Sequence, residues 1–413
     1  MAPKIQVLSE TGLLDGVIVH TPGREVSLVS PEIKDNLLFD DIIFEEDARV
    51  EHIEMMDIIR TAIPGVPVVQ ITDLIRETFQ NSEAREYFVD AMARNLPDEN
   101  IRIAEKALLG LSAGSLTNLA VLGETPELKN FRLYPSPNIL FTRDLAAVVG
   151  DNVIISRAAK KARFRESIMM SAVVQYHPMY KEVRDRVFHI PAYESVEGGD
   201  ILAASDKVAL IGMSERTSFS GLMRTGEMLL DNGLEHILIV DIPKQRSSMH
   251  LDTIFTFSDT DECIAYPPAI IDRTDNVVSL VKENGKIITE LKPSLKVALD
   301  EAMNRNYRFI PCGGSDPVSQ QREQWSDGAN VFCLAPGVII GYERNIHTFK
   351  EMEKSGYKII SGKEFIESYK GGTFDIRKAG KMAITFEGHE LCRGRGGARC
   401  MTQPFSRRAG WEK

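Results

Sequence analysis

The chain predicts an α/β fold: repeated β-hairpin modules arranged around a pseudo-symmetry axis, with a helical stretch inserted into them. Three observations carry this. Apolar hairpins, each preceded by a polar or glycine elbow, recur along the sequence. Amphipathic helical stretches separate them. The segment 73–127 has helical periodicity and no convincing strand. The 413 residues, 43% hydrophobic and 26% charged, have an ordinary globular balance. That length suggests about two or three domains.

The first hairpin follows the elbow Asn138 to Asp144 and turns at Gly150-Asp-Asn. The second follows Gly198-Gly-Asp200 and turns at Ser205-Asp-Lys. The third begins at His250-Leu-Asp252 and turns at Asp259-Thr-Asp. The fourth follows Gly328-Ala-Asn330 and turns at Pro336-Gly. Gly, Asn, Asp and Pro suit these turns because they tolerate or preset the required backbone angles. Helices are expected over 215–232, 318–325 and 348–355. In 73–127, Leu74, Ile75, Phe79, Tyr87, Phe88, Ala91, Met92, Ile103, Ala104, Ala107 and Leu108 recur at helical spacing. Caps are expected at Asn81-Ser-Glu-Ala and Pro97-Asp-Glu-Asn. In a modular arrangement the elbows point to a shared centre; an ordinary α/β sheet with similar hairpins is the alternative.

Net charge is −10, without the basic stripe of a nucleic-acid binder. No apolar run approaches the ~18 residues of a membrane span, and no signal peptide is evident at the N-terminus. The five cysteines are odd in number and form no C-x-x-C pair, which argues against a disulfide framework or structural zinc site. A cytoplasmic protein without nucleic-acid or membrane partners is expected.

Chemistry concentrates in the elbows and near the C-terminus. Residues 394–402, Gly-Arg-Gly-Gly-Ala-Arg-Cys-Met-Thr, place Cys400 in a glycine-rich loop with Arg395 and Arg399. A thiol in such a loop is a candidate nucleophile or an inert cysteine, depending on its partners. Asp144, Glu197, Asp200 and Asp252 supply carboxylates, and His250 stands two residues before Asp252. If 249–253 is extended, His250 and Asp252 share a face. Carboxylates around a thiol raise its pKa by like-charge repulsion, unless the substrate is a cation. A guanidinium meets that need: planar, always charged and able to pair with carboxylates through two N–H donors. Arg163, Arg216 and Arg395 could then hold the substrate's own carboxylate.

Ser9-Glu-Thr-Gly-Leu-Leu, His20-Thr-Pro-Gly-Arg-Glu, Pro137-Asn-Ile-Leu-Phe-Thr-Arg-Asp144, Ala162-Arg163, Glu197-Gly-Gly-Asp200, Gly212-Met-Ser-Glu-Arg216-Thr-Ser, His250-Leu-Asp252-Thr, Gln324-Trp-Ser-Asp-Gly-Ala-Asn330, Tyr342-Glu-Arg-Asn and Gly394 to Thr402 run in order over nearly the whole chain. Jointly they resemble the arginine deiminases of the guanidino-group-modifying, or pentein, superfamily. The resemblance implies a five-fold pseudosymmetric β/α propeller over 1–72 and 128–413, with a small helical bundle domain inserted at 73–127. It implies hydrolysis of free L-arginine to L-citrulline and ammonia, the first step of arginine catabolism, through a covalent thiouronium on Cys400. It implies that Asp144 and Asp252 grip the guanidinium, and that Glu197 and His250 handle protons. Asn138, Arg163, Arg216 and Arg395 would bind the amino-acid end, with Asp200 as a supporting residue of the substrate site. No cofactor or metal is expected, and a homo-oligomer, dimer or tetramer, is. The rivals are a dimethylarginine hydrolase, an amidinotransferase, an inactive arginine-binding sensor and a cysteine peptidase.

Overall fold

Each of the four hairpins read from the sequence opens a sheet in the computed structural model, which describes residues 4–96 and 99–410. Ala146–Val149 pairs antiparallel with Asn152–Ile155, Ile201–Ala203 with Val208–Met213, Phe255–Asp259 with Glu262–Ala265, and Phe332–Ala335 with Val338–Tyr342. In the first three sheets a helix then returns the chain to a strand parallel to the second: Phe164–Tyr176 to Val187–His189, Phe219–Asp231 to His236–Asp241, and Leu295–Met303 to Arg308–Pro311. The fourth sheet takes Met382–Phe386 beside Val338–Tyr342, and Lys358–Ser361 outside it. The second is widened by the hairpin Val277–Glu283 and Lys286–Lys292, which adds to the outer edge of His236–Asp241.

A fifth sheet joins the two ends of the chain. Gln403–Arg407 pairs antiparallel with Leu14–Val19, Val68–Gln70 lies parallel to the latter after the helix Glu45–Ala62, and Gln6–Val7 adds an outer strand. It repeats the hairpin-plus-parallel-strand plan of the others. Its hairpin escaped the sequence because its two strands are separated by nearly the whole chain.

In the segment read as helical, Ile71–Thr78, Ser82–Asn95, Glu99–Leu109 and Ala113–Leu122 form helices. The Asn81 side chain caps the second of these by accepting from the Glu83 N–H. Pro97 and Asp98, part of the other expected cap, lie outside the described residues. These helices share one core with the sheet beside them: Leu74, Phe88 and Met92 are buried in the same cluster as Ile154, Met169 and Val173. Each such side chain stabilises by ~1.5–3 kcal/mol through burial.

Two expected elements differ. The helix read from Glu215 begins at Phe219, because Ser218 caps it through the Gly221 N–H and residues 214–217 are drawn into a turn against Asp200. The segment 249–253 is not a strand: His250 is extended, but Leu251–Thr253 winds into a 3-10 turn. Among the described residues, no helix is long and apolar enough to cross a membrane.

Candidate active site

The elbows ahead of the five first strands are hydrogen-bonded to one another in a ring. The Gly199 N–H donates to Asp144 Oδ1 at 3.1 Å. His250 Nε2 meets Glu197 Oε2 at 2.8 Å, and the Leu251 N–H donates to Asp200 at 2.8 Å. Asn330 Nδ2 donates to the Asp252 carbonyl at 2.8 Å, and the Cys400 N–H donates to Asn330 Oδ1 at 3.0 Å. The Arg143 N–H closes the ring on the Cys400 carbonyl at 3.1 Å. Short 3-10 turns at Thr142–Asp144, Gly198–Asp200 and Leu251–Thr253 make this possible, because each tight turn leads into its strand while its polar groups face the neighbouring elbow.

One side of the ring gathers Asp144, Glu197, His250 and Arg163. Arg163 Nη1 donates to Asp144 Oδ2 at 2.6 Å, Nε to Glu166 at 2.8 Å, and Nη2 to the Asn138 carbonyl at 3.1 Å. The same Nη1 stands 3.8 Å from Glu197. Burial opposes the charge on His250, but Asp144 first and then Glu197 and Asp200 hold its pKa up at about 9. Burial likewise opposes the charge on Glu197, yet His250, Arg216 and Arg163 bring it down to about 2. At neutral pH this side therefore holds an imidazolium against a carboxylate. Gly199 permits the approach: a Cβ there would lie 2.8 Å from His250 Cγ and 2.9 Å from Asp144 Oδ1.

The other side holds the thiol. Cys400 Sγ lies 3.6 Å from Asp252 Oδ2 and accepts a 3.2 Å hydrogen bond from Asn330 Nδ2. Arg399, which the sequence left without a firm role, is fully buried; it donates to Asp252 Oδ2 at 2.8 Å and to both oxygens of Glu10. Burial and then Asp252, Asp144 and Asp327 push the Cys400 thiol well above its ordinary pKa of 9.0, against the pull of Arg399. The turn at Leu251–Thr253 thus sends His250 and Asp252 to different partners, where an extended segment would have aligned them on one face.

Among the groups expected at the amino-acid end, Arg216 is buried, with Nη1 3.9 Å from Glu197 and Nε donating to Glu215. Arg395 adopts a left-handed φ of +64°, stacks on Trp325 with its guanidinium carbon 3.6 Å from the ring centroid, and donates to the Ser247 carbonyl. Asn138 donates to the Leu37 carbonyl. The sequence reading places Arg163 on a ligand carboxylate; the structure places it on Asp144 and Glu166. Asp200 accepts from Ser214, Thr217 and the Leu251 N–H, so it braces the second and third elbows from behind.

Sequence reasoning missed Glu10, Glu166 and Asn330 as parts of this network. Glu10 and Asn330 stood inside recognised motifs, but no local spacing ties Glu10 to a residue 389 positions away. Asp144, Glu197 and His250 bring ligand atoms within 4.8 Å of one another, a spacing a metal could use. Those atoms are already engaged, Asp144 by the guanidinium of Arg163 and Glu197 by His250.

The family model described as arginine deiminase matches residues 35–407. The chain is 34% identical to the arginine deiminase of Mycoplasma capricolum subsp. capricolum, over 98% of either chain. Among solved structures it resembles an amidinotransferase from Microseira wollei, with a TM-score of 0.54 at 13% identity over 99% of both chains. It also resembles a dimethylarginine dimethylaminohydrolase in adduct with S-methyl-L-thiocitrulline, with a TM-score of 0.51 at 16% identity, covering 95% of this chain and 99% of that one. At these identities the likeness to the solved structures is one of fold.

Proposed function

The chain belongs to the arginine deiminase family, and from that premise we propose how its own residues hydrolyse L-arginine to L-citrulline and ammonium. One observation carries the assignment. The two acids flanking the thiol side and the histidine side each already bind a guanidinium, Asp252 that of Arg399 and Asp144 that of Arg163. Both carboxylates are therefore oriented for the same group on a substrate, with a sulfur 3.6 Å from one of them.

Substrate binding begins with an exchange. Arginine's guanidinium takes Asp144 from Arg163, and Arg163, Arg216, Arg395 and Asn138 engage the amino-acid end. The bound cation offsets the carboxylate field that keeps Cys400 protonated, so the thiolate forms where it is needed. Asp144 and Asp252 fix the guanidinium plane. Sulfur adds to its central carbon, and His250 gives its proton to the departing nitrogen, which leaves as ammonia. The remaining thiouronium is attacked by water, from which the now neutral His250 takes a proton. The C–S bond breaks and citrulline leaves; the surplus proton accompanies ammonia as ammonium. Glu197 keeps His250 oriented throughout and favours its charged form before the first proton transfer and after the second.

The repeated sheets and the ring of elbows support reading 1–72 and 128–413 as a five-fold pseudosymmetric β/α propeller, with 73–127 as its helical insertion. Five free cysteines support a reducing, cytoplasmic setting. A homo-oligomer is carried over from the sequence reading alone.

The test is Cys400→Ala. It should bind arginine measurably and form no citrulline; appreciable turnover would remove Cys400 from the mechanism.

A further inference from the structure

Asn330 touches both the nucleophile and Asp252, and its neighbours fix which way its amide points. Oδ1 lies 3.0 Å from the Cys400 backbone nitrogen, which can only donate. Nδ2 lies 2.8 Å from the Asp252 carbonyl, which can only accept. These partners leave a single assignment of the amide, and the second hydrogen of Nδ2 is then directed to Cys400 Sγ at 3.2 Å. The side chain is buried, so water does not compete for these bonds.

The surroundings hold Asn330 in that place. Its own N–H donates to the carbonyl of Asp327, which adopts a left-handed φ of +62°. Gly397 lets the Cys400 loop approach: a Cβ there would lie 2.6 Å from the Asn330 carbonyl oxygen and 2.9 Å from Oδ1. The charged groups that act most strongly on the sulfur are the acids Asp252, Asp144 and Asp327, opposed by Arg399, whose guanidinium is directed to Asp252 and Glu10. Among the described residues, no other hydrogen-bond donor reaches the sulfur.

We propose that Asn330 is a further catalytic residue, whose amide N–H stabilises the Cys400 thiolate and whose other two hydrogen bonds hold that sulfur beside Asp252. This rests on Cys400 being the nucleophile. The amide donates to sulfur in either protonation state, but the bond is stronger to the anion. It thereby favours ionisation in a pocket whose acids oppose it.

The experiment compares the native enzyme with Asn330→Ala and Asn330→Asp. The rate of Cys400 alkylation by iodoacetamide at pH 8, read by peptide mass, reports the thiolate without turnover. In Asn330→Ala it should fall about ten- to a hundredfold, the worth of one hydrogen bond to an ionised group. Asn330→Asp, nearly isosteric, replaces the donor with an acceptor and should fall at least as far. In both, kcat should drop in proportion while KM changes by less than about threefold. Should Asn330→Ala fail to fold, Asn330→Asp decides. An unchanged alkylation rate in a folded variant overturns the proposal, even if thermal stability falls, because a purely structural tie would have that effect alone. If Cys400→Ala still forms citrulline, it is the nucleophile assignment that fails, and the alkylation rates still report whether Asn330 tunes the thiol.

Discussion

Arg163 places Nη1 2.6 Å from Asp144 Oδ2 and Nε 2.8 Å from Glu166, so one buried guanidinium serves two buried carboxylates. Desolvation weighs against such a charge, yet Glu166, Asp144 and Glu197 together raise its pKa above that of a free arginine. Removing one partner of a buried pair leaves the other uncompensated, which costs about 3–5 kcal/mol. Arg163→Ala should therefore lower the free energy of urea unfolding by about that amount. Arg163→Lys keeps the charge without the fork and should recover part of it. An alanine variant as stable as the parent would show that these acids are not held by Arg163.

The His250–Glu197 pair sets two limits in pH. His250 has a folded pKa of about 9 against an ordinary 6.5, so its contribution to stability is full below 6.5 and disappears as pH rises through about 9. Glu197 has a folded pKa of about 2 against an ordinary 4.5, so its contribution is full above 4.5 and disappears as pH falls toward 2. Activity needs the imidazolium, so kcat/KM should decline as pH rises through about 9. Glu197→Gln removes one of the charges holding that proton, and should move the alkaline limb to lower pH. A limb that stays in place would assign it to another group.

Gly199 packs directly against two of the side chains that do the chemistry. A methyl at this position meets His250 Cγ at 2.8 Å and Asp144 Oδ1 at 2.9 Å, and neither can retreat without losing Glu197 or Arg163. Gly199→Ala should thus displace the proton-transfer group and lower kcat on the order of a hundredfold, as small misplacements at reacting centres do. Kinetics within about threefold of the parent would mean that the elbow relaxes freely.

What was legible in the sequence follows from distance along the chain. The four hairpins carry their turns and apolar runs locally, so Ala146–Ile155 or Phe332–Tyr342 could be read directly. Asp144, Glu197, Asp200, His250 and Asp252 were legible because each lies a few positions ahead of such a hairpin, and Cys400 because of its glycine-rich loop. The fifth sheet was not, since Gln403–Arg407 finds its partner at Leu14–Val19 only in three dimensions. Glu10 belongs to the same class: its link to Arg399 and so to Asp252 is a consequence of closure. The conformation of 249–253 failed for another reason. The His250–Asp252 spacing puts both side chains on one face only if the segment is extended, but Thr253 Oγ1 donates to the His250 carbonyl at 2.7 Å, a local bond that favours the turn.

Closure by Glu10 and Arg399 makes its own prediction. Burial alone would raise the Glu10 pKa, yet Arg399 draws it down to about 2. Arg399→Met fills similar space without charge and leaves both Glu10 and Asp252 unpaired, at a cost of about 3–5 kcal/mol. Pairing that change with Glu10→Gln removes one stranded charge and should restore part of the loss. Additive losses in the double variant would argue against a coupled pair.

Arg395 separates binding from chemistry. Its backbone is left-handed at φ +64°, its guanidinium carbon lies 3.6 Å from the centroid of the Trp325 ring, and Nε and Nη1 find no hydrogen-bond partner among the described residues. Buried donors without partners are costly, and a substrate carboxylate would satisfy both. Arg395→Ala should raise KM about ten- to a hundredfold, the worth of a charge-assisted hydrogen bond, with kcat changed far less. Trp325→Ala removes only the stacking surface, worth roughly 0.5–2 kcal/mol, and should raise KM by a smaller factor. Equal falls in kcat and kcat/KM for Arg395→Ala, with KM unmoved, would place this arginine at the transition state and overturn its assignment as a substrate clamp.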